Sequence, residues 1–442
     1  MRKAARRIVE KLRLHGHEAF FAGGYIRDTL LRRKPGDIDI ATSARPEEVL
    51  RIFPRSVRIG ARFGVVQVRM YRCAFDVATF RSEGPYQDGR HPSHVDFTGP
   101  KQDALRRDFT INGLFFDPIA GRLIDYVGGA ADLRRGIVRT IGTPLERFRE
   151  DKLRMLRAVR FACALHFRIA EETHEAIRQL APAILEVSWE RIRDEVLHIL
   201  TGPMPGRGLD LLHDTGLLLH ILPEVEAMRG VSQPEAFHPE GDVYIHTRRT
   251  LDLLRKPSPV LAMAAMLHDV GKPLTVSLQE DRIRFNRHAE VGAQLSDTIC
   301  RRLRMSNDET GRIVELVRCH LHFLNIRSMR RGTLKRFLNT PHFEDHLELH
   351  RADCLSSHGD LDAYRFALEK YEEWKSASPL PPRLITGHDL IDMGYSPGPA
   401  FSKILLAIEN LQMEDPALTR DKALECVRRQ YPADKIPGES HG

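Results

Sequence analysis

The chain has 442 residues, more than one ordinary hydrophobic core organises, and this indicates two to four domains. Its 42% hydrophobic and 29% charged residues are typical of a folded globular protein, and no apolar run of about 18 residues predicts a membrane-spanning helix. The formal charge of +7 favours a polyanionic partner such as nucleic acid. Six scattered cysteines without a CxxC pair, and a basic N-terminal segment without an apolar signal core, predict a cytoplasmic protein with reduced thiols.

The first 140 residues mix helix and strand patterns. They predict a helix at 3–14, short buried strands at 19–22 and 37–41, a hairpin at 64–80 and a long polar loop at 82–104. From about residue 145 the apolar spacing becomes helical, at 146–166, 170–181, 188–201 and 207–221. Residues 242–360 are also helical and unusually rich in His and Asp.

A double glycine followed by two spaced acids, GGYIRDTLL at 23–31 and DIDI at 37–40, is the first chemical motif. Asp37 and Asp39 are two residues apart, so on a strand they project from the same face. Two adjacent carboxylates are costly without a cation, and Mg²⁺ is a hard ion that takes carboxylate and phosphate oxygens. Gly23 and Gly24 permit a close approach of the backbone to a triphosphate, which Arg27 could also contact. A lone DxD is more often a surface turn, but its position after this glycine turn favours the metal site.

A third acid lies in the next hairpin, in CAFDVATFR. Asp76 stands among apolar residues, where an acid is uncommon without a partner. A metal shared with Asp37 and Asp39 would supply that partner. The alternative is an edge strand on which Asp76 faces water.

These segments, together with RRDFTINGL at 106–114, resemble the family of class II tRNA nucleotidyltransferases and poly(A) polymerases. The resemblance implies an α+β fold, with a head like the palm of DNA polymerase β followed by all-α neck, body and tail regions. It also implies that Arg106, Arg107 and Asp108 lie beside the triphosphate or the sugar. The polar loop resembles the flexible loop that enzymes adding the final A require.

An arginine-rich segment, RFREDKLRMLRAVRF at 147–161, follows the head. Asp151, Arg154, Arg157 and Arg160 recur every third residue, which predicts a polar stripe along one helix. Such a stripe is commonly a solvated, salt-bridged face. The segment also resembles the EDxxR element of the same family. That resemblance implies that Asp151 and Arg154 pair with the base of CTP or ATP, and that Arg157 and Arg160 contact phosphates or brace the pair.

Histidines and aspartates recur at helix-length intervals in the next region. One helical histidine is usually a packed or exposed residue, but several can converge in a bundle, where imidazoles and carboxylates suit Mn, Fe, Ni or Mg. The order of these residues resembles the HD phosphohydrolase superfamily. This resemblance implies a core of His246, His268, Asp269 and Asp353, with His288 and His320 completing a two-metal site. It also implies that Lys272 contacts phosphate.

The sequence therefore predicts a nucleotidyltransferase head at 1–140, a helical neck and body at 141–235, an HD-type metal-binding domain at 236–360 and a helical tail at 361–442. The predicted function is addition of C, C and A to the 3′ end of tRNA from CTP and ATP, with Mg²⁺ at the head and a probable phosphohydrolase activity at the histidine site. The predicted partner is the 3′ end and acceptor arm of tRNA, with no membrane and no obligate protein partner. Within the family, A-only addition and poly(A) synthesis remain alternatives. From other classes, the alternatives are a phosphohydrolase of nucleotides or RNA ends, whose head only binds, and a non-catalytic RNA-binding protein.

Overall fold

The computed structural model describes residues 1–60, 64–84, 94–234, 241–279, 282–376, 383–415 and 417–432. The N-terminal part is built around a mixed sheet and everything after about residue 140 is almost entirely helical, which confirms the expected α+β class. Within the described residues, no helix combines the length and the apolar character that crossing a membrane requires. All six cysteines are free thiols.

The head has a seven-stranded sheet in the order β3-β4-β5-β2-β1-β8-β9, with only β2 and β5 parallel. The strands of the head are β1 Ala19–Ala22, β2 Asp39–Thr42, β3 Val57–Gly60, β4 Val65–Met70, β5 Cys73–Thr79, β6 Arg81–Glu83, β7 Val95–Phe97, β8 Leu114–Asp117 and β9 Arg122–Asp125, of which β6 and β7 form a separate pair. Its helices are α1 Arg2–Leu14, α2 Gly24–Leu30, α3 Pro46–Ile52, α4 Pro100–Leu105 and α5 Gly129–Arg135, with a 3₁₀ turn at Thr110–Asn112. The predicted first helix and central hairpin are confirmed.

The helical part adds two minor strand pairs. Its strands are β10 Ile137–Val138, β11 Arg168–Ile169, β12 Val276–Gln279 and β13 Arg282–Phe285. Its helices are α6 Pro144–Glu150, α7 Leu153–Leu165, α8 Glu171–Leu180, α9 Trp189–Leu200, α10 Pro205–Asp214, α11 Leu217–Ile221, α12 Pro223–Glu226, α13 Val243–Leu253, α14 Pro259–Leu267, α15 Lys272–Thr275, α16 His288–Arg302, α17 Asn307–Cys319, α18 Arg331–Leu338, α19 Phe343–Ser356, α20 Asp362–Ser376, α21 Gly387–Asp392, α22 Pro399–Glu414 and α23 Arg420–Gln430.

One hydrophobic core joins the head to the helices. It extends from Ile8 of α1 through the sheet and on to Leu349 of α19. At the junction, Phe109 of the head meets Phe161 of α7 edge to face, with ring centroids 5.7 Å apart. Three smaller cores lie around Phe323, around the last three helices, and around Phe115 on the other face of the head sheet. The head and α7 are therefore packed as one body.

The structure corrects the expectation of one continuous helix at 146–166. Helix α6 ends at Glu150, and Asp151 is extended, with φ −141° and ψ 101°. The Asp151 carboxylate then accepts a hydrogen bond from the backbone N–H of Leu153 at 3.2 Å, and this caps the start of α7. The break turns Asp151 out of the helical stripe. The predicted helix at 207–221 is likewise divided, because Gly216 adopts the left-handed conformation between α10 and α11.

The predicted loop at 82–104 contains regular structure. Strands β6 and β7 pair antiparallel, with Ser82 opposite Asp96, and α4 follows them. Residues 85–93, which hold most of the segment likened to a flexible loop, lie outside the described residues.

Gly129 is required where α5 passes under the Thr110–Asn112 turn. A Cβ at this position would lie 2.1 Å from the backbone oxygen of Thr110. We therefore expect Gly129→Ala to displace the turn and to lower the melting temperature measured by circular dichroism. Gly311→Ala is the matched control, because Gly311 is an exposed residue inside α17 with nothing within 4 Å of its added Cβ. The control should stabilise the helix by roughly 0.5–1 kcal/mol, and an equal loss in both variants would contradict the prediction.

Candidate functional site

Three acids share the solvent face of the head sheet. The parallel pairing of β2 with β5, with Ile40 opposite Val77, places Asp39 beside Asp76. Asp37, Asp39 and Asp76 are exposed while Ile40 and Val77 are buried, as strand alternation requires. Asp37 lies just before β2, which begins at Asp39, and not within a strand as expected. Asp76 lies on an interior strand, so the edge-strand alternative is wrong, although its side chain is exposed.

The surroundings of Asp39 favour a bound cation. Asp39 is exposed to the open cleft, but desolvation by the cleft walls raises the pKa of its carboxyl group. The negative charge of Asp76 raises this pKa further, and that of Asp37 raises it by a smaller amount. The positive charge of Arg107 lowers the same pKa. Among the described residues, groups of three ligand atoms within 4.8 Å of one another occur only in the helical part, so the head acids are more widely spaced. Their oxygen donors nevertheless fit a hard divalent ion such as Mg²⁺.

Gly23 forms the turn between β1 and α2. Its φ of 67° and ψ of −137° lie in a region that essentially only glycine adopts. A Cβ at this position would lie 3.2 Å from Nη1 of Arg107 and 3.6 Å from Oδ2 of Asp39. The glycine therefore lets the backbone approach both a cation and a carboxylate of the site.

Arg106 and Arg107 are fixed by a buried acid that the sequence motif did not include. Asp103 of α4 is 1% exposed, and its two oxygens lie 2.7 Å from Arg106 Nη2 and 3.0 Å from Arg107 Nη2. Burial alone would raise the pKa of Asp103, but the two guanidinium groups lower it overall. Each arginine therefore keeps a fixed direction at the rim of the cleft.

A hydrogen-bonded chain crosses from the head to α7. Arg27 Nη1 donates to Asn112 Oδ1 at 2.9 Å, and Asn112 Nδ2 donates to Asp108 Oδ1 at 3.0 Å. Asp108 Oδ2 then accepts from Nε and Nη2 of Arg157 at 3.0 and 2.7 Å. Burial would raise the pKa of Asp108, yet Arg157 first and then Asn112 lower it overall. Asp108 therefore holds Arg157 in place, a role that the sequence did not predict.

These groups enclose a cleft of about 590 Å³, a size suited to a nucleotide. It is lined by Gly23, Gly24, Arg27, Asp39, Arg81, Arg106, Arg107, Asp108, Asn112, Asp151, Arg154, Arg157 and Phe161. Arg160, which was predicted to contact the nucleotide, is not among the lining residues. Its Nε lies 2.6 Å from Glu195 Oε2 on α9 instead.

The two residues expected to read the base lie at the helical end of the cleft and are already paired. Asp151 is 3.2 Å from Arg191 Nη2, and Arg154, which is 6% exposed, donates to Glu150 Oε2 at 2.8 Å. Arg154 also donates to the backbone oxygen of Arg147 at 3.0 Å. Arg191 and Glu195 were missed by the sequence analysis. Their only signal there is the i, i+4 spacing of charges in WERIRDEV.

A second site lies among the helices. His246 comes from α13, His268 and Asp269 follow α14, and Asp353 comes from α19. His246 Nε2 lies 3.3 Å from His268 Nε2 and 3.0 Å from Asp353 Oδ1. These three residues form one group of ligand atoms within 4.8 Å.

Asp269 belongs to an adjoining group with His288 and His320. Its Oδ1 lies 3.5 Å from His288 Nε2 and 3.8 Å from His320 Nε2. Its Oδ2 lies 3.3 Å from His268 Nε2 and 3.8 Å from His246 Nε2. One carboxylate thus faces both groups, and all six residues predicted for this site converge.

The ring nitrogens of His288 and His320 are oriented as metal ligands. Nδ1 of His288 donates to the carbonyl of Phe285 at 2.8 Å, and Nδ1 of His320 donates to that of Val317 at 2.6 Å. Burial, and then the charge of His268, lower the pKa of His320 to about 3, so its ring is neutral and its Nε2 is bare. The two Nε2 atoms face each other at 3.3 Å, an arrangement that a cation between them stabilises.

Lys272, for which the resemblance implies a phosphate contact, is held beside this site by two partners. Its Nζ lies 2.7 Å from Asp269 Oδ2 and donates to Gln233 Oε1 at 2.5 Å. Burial would raise the pKa of Asp269, but Lys272 and then His268 and His246 hold it well below the usual range. The site therefore offers imidazole nitrogens and carboxylate oxygens, and this donor set fits two divalent cations.

Three family models match the chain in order. They are the poly(A) polymerase head domain at residues 19–139, the probable RNA and SrmB-binding site of polymerase A at 166–229, and the HD domain at 243–358. The chain is 45% identical over 215 residues to a CCA-adding enzyme of Geobacillus kaustophilus and 46% identical over 211 residues to that of Geobacillus stearothermophilus. The first match covers 48% of this chain and 53% of the relative, so the chain spans about half the length of these relatives.

Solved structures extend the likeness to the whole chain. A crystal structure of the Bacillus stearothermophilus CCA-adding enzyme in complex with CTP is 27% identical, with a TM-score of 0.70, and the match covers 97% of this chain and 98% of the other. A Thermotoga maritima CCA-adding enzyme complexed with tRNA shares the fold, with a TM-score of 0.56 at 20% identity. The chain therefore resembles these proteins in three successive segments, a poly(A) polymerase head, the RNA-binding segment that follows it and an HD domain, and its fold is similar to that of solved CCA-adding enzymes.

Proposed function

We propose that the chain adds C, C and A to the 3′ end of tRNA, using CTP and ATP and no nucleic-acid template. The observation that carries this proposal is a single cleft that has Asp39 at its head end and both Asp151 and Arg154 at its helical end. The nucleotidyltransferase relatives at about 45% identity are named CCA-adding enzymes, and one solved relative binds CTP. The reaction is attack of the RNA 3′ hydroxyl on the α-phosphate, with pyrophosphate leaving.

The head residues hold the triphosphate and the reacting atoms. Asp37, Asp39 and Asp76 are the ligands we assign to Mg²⁺, which would polarise the attacking hydroxyl and neutralise charge on the phosphates. Arg106 and Arg107 stand on the other side of Asp39, where fixed guanidinium groups bind phosphate oxygens. Their pairing with Asp103 limits their motion, so binding a triphosphate costs little side-chain entropy.

Asp151 and Arg154 select the base. A carboxylate accepts from an exocyclic amine, and a guanidinium donates to ring and carbonyl acceptors. C and A both carry an exocyclic amine at the ring position where U and G, respectively, carry a carbonyl oxygen. Asp151 is oriented by Arg191 and Arg154 by Glu150, so both are presented to the base as fixed groups.

The RNA is held mainly through its phosphate backbone. The chain carries 67 Lys and Arg against 60 Asp and Glu, and the segment at 166–229 matches an RNA-binding model. A solved relative is complexed with tRNA. We assign the 3′ end and acceptor arm of tRNA as the substrate and place the enzyme in the cytoplasm. A-only addition and poly(A) synthesis use the same cleft and are distinguished by product length.

The histidine site favours a second activity, hydrolysis of phosphate esters. All six predicted ligands converge, and Asp269 faces both groups of ligand atoms. Imidazole with carboxylate suits Mn, Fe, Ni or Mg, and such ions activate water for attack on phosphate. We therefore propose a metal-dependent phosphohydrolase acting on phosphomonoesters or cyclic phosphodiesters.

Incubation of the protein with Mg²⁺ and tRNA lacking CCA is expected to give products three nucleotides longer only when CTP and ATP are both present. Asp39→Asn should abolish extension, because it removes a charge from the acid cluster. Asp297→Asn is the control, since it removes an exposed carboxylate that pairs only with Arg301 on α16. Products are resolved at single-nucleotide length on gels. Extension of CC-ending tRNA alone, or long ATP ladders, would replace full CCA addition by one of its alternatives.

Arg191→Met is expected to loosen Asp151 without removing it. Loss of one partner of a charged hydrogen bond costs ~10–100-fold in affinity. We expect a loss of that order in kcat/KM for CTP and ATP, with a smaller preference over UTP and GTP. Arg193→Met, two residues along α9 and paired with the exposed Asp194, is the matched control. Unchanged base preference in Arg191→Met would show that Asp151 does not depend on Arg191.

Metal analysis tests the histidine site independently of activity. Wild-type protein desalted after loading with Mn²⁺ is expected to retain two ions, one for each group of ligand atoms. Asp269→Asn should lose both and His288→Ala one, as measured by inductively coupled plasma mass spectrometry. Both variants should keep nucleotide addition, because these residues lie outside the nucleotide cleft. Full retention of metal by Asp269→Asn would contradict the bridging role.

A further inference from the structure

We propose that Gln233 binds a phosphate oxygen of the ligand at the histidine site, through its side-chain amide. The inference rests on the phosphohydrolase function proposed above and adds to the site a residue that neither the metal ligands nor the sequence motif includes. Gln233 precedes α13 and lies 35 residues or more from Asp269 in sequence, so only the fold brings it to the site.

The backbone holds Gln233 in one position. Its N–H donates to the carbonyl of Gly241 at 3.0 Å, and the neighbouring Ser232 forms a β-bridge with Asp242. Asp242 in turn accepts from the backbone N–H of Gly230 at 2.7 Å and caps α13 through the N–H of Ile245 at 3.0 Å. Gln233 is therefore anchored to the start of the helix that carries His246.

The orientation of its amide follows from Lys272. An ammonium group can only donate, so the atom 2.5 Å from Lys272 Nζ is the carbonyl oxygen of Gln233. The amide nitrogen must then point away from Lys272. Gln233 is 3% exposed, and its Nε2 is buried with no hydrogen-bond partner among the residues that the structure describes. A buried donor left without an acceptor is costly, and a ligand that accepts from it removes that cost.

The ammonium group of Lys272 is a second hydrogen-bond donor beside the Gln233 amide. It has three N–H groups, of which one meets Asp269 Oδ2 at 2.7 Å and another meets Gln233. The ring of Phe285, whose centroid is 5.4 Å from Nζ, shields the ammonium from water. These contacts form a row of three side chains, Asp269, Lys272 and Gln233. The row begins at the carboxylate that faces both groups of ligand atoms and ends at the Gln233 amide nitrogen, which has no acceptor among the described residues.

The chemistry of this row selects an oxyanion with several acceptor atoms. A cationic donor beside a neutral donor, next to a pair of cation sites, suits the non-bridging oxygens of a phosphate group. A phosphomonoester offers three such oxygens, so one can be bound by this row while the others remain for the cations. The ligand class is accordingly a terminal phosphate on a nucleotide or an RNA end.

The competing role for Gln233 is to position Lys272 and nothing else. A double-mutant cycle separates the two roles, because an effect transmitted only through Lys272 vanishes once Lys272 is replaced. The variants are Gln233→Leu, Lys272→Met and the double variant, with Gln294→Leu as the matched control. Gln294 is an exposed glutamine on α16, and its replacement removes the same amide.

The first measurement is the affinity of Mn²⁺-loaded protein for inorganic phosphate, by calorimetry, with metal content checked for every variant. Gln233→Leu is expected to weaken phosphate binding by ~10-fold or more, the usual effect of losing a hydrogen bond to a charged acceptor. The same loss is expected in the Lys272→Met background. No loss in that background would overturn the inference and leave Gln233 as a positioning residue.

The second measurement is hydrolysis of p-nitrophenyl phosphate, with KM and kcat resolved. Gln233→Leu should raise KM more than it lowers kcat, and the control should change neither. Absence of hydrolysis by the wild-type protein, with phosphate still bound through Gln233, would refute the proposed activity but keep the inference. Failure of Mn²⁺-loaded wild-type protein to bind phosphate would overturn the inference itself.

Discussion

The pair between Asp108 and Arg157 is the interaction on which the nucleotide cleft depends. It joins the head to α7 by two partly buried hydrogen bonds, at 3.0 and 2.7 Å. Asp39 and the residues that we propose to read the base are more than 70 positions apart in sequence, so only this junction and the packing around it bring them to one cleft. Phe109 and Phe161 supply the apolar part of the same junction. Removing one partner would leave a buried charge without compensation, which is far more costly than losing a surface ion pair.

Both sites are built from groups that repel one another until a cation is bound. In the head, desolvation and two neighbouring carboxylates raise the pKa of Asp39. Among the helices, the bare Nε2 atoms of His288 and His320 face each other at 3.3 Å. The fold holds these groups together because packed elements carry them. In the head they lie at the start of β2 and in the middle of β5, and among the helices they lie at the termini of α14, α16 and α17. The free energy of packing thus keeps mutually repelling groups together at both candidate sites.

The sequence predicted the side chains that are proposed to bind metal and nucleotide, and it missed the side chains that orient them. The spacing of Asp37 and Asp39, and the His and Asp series from His246 to Asp353, survive as spatial clusters. The sequence analysis missed Asp103, Arg191 and Glu195. A charged residue on an amphipathic helix gives the same sequence pattern whether its side chain faces water or an oppositely charged residue from elsewhere in the fold. The break at Asp151 was missed because its apolar spacing continues across residues 146–166, while the capping hydrogen bond to Leu153 depends on local geometry. The pairing of Arg160 with Glu195 was missed for the same reason, since the pattern predicts a polar stripe but not the residue that the stripe contacts.

Helix α9 shows why the two sites can share one core and still act separately. Its Arg191 and Glu195 reach the cleft residues around α7, while the helix also packs against α14, whose end carries His268 and Asp269. Helix α14 is buried over Val260–Leu267 on every side, so its position is set by close packing and not by the ions at its end. Loss of the metal ligands therefore removes a local cluster without moving α9. The nucleotide cleft depends on the packing of α14 but on none of its metal ligands, and chemistry at one site can change while the other is retained.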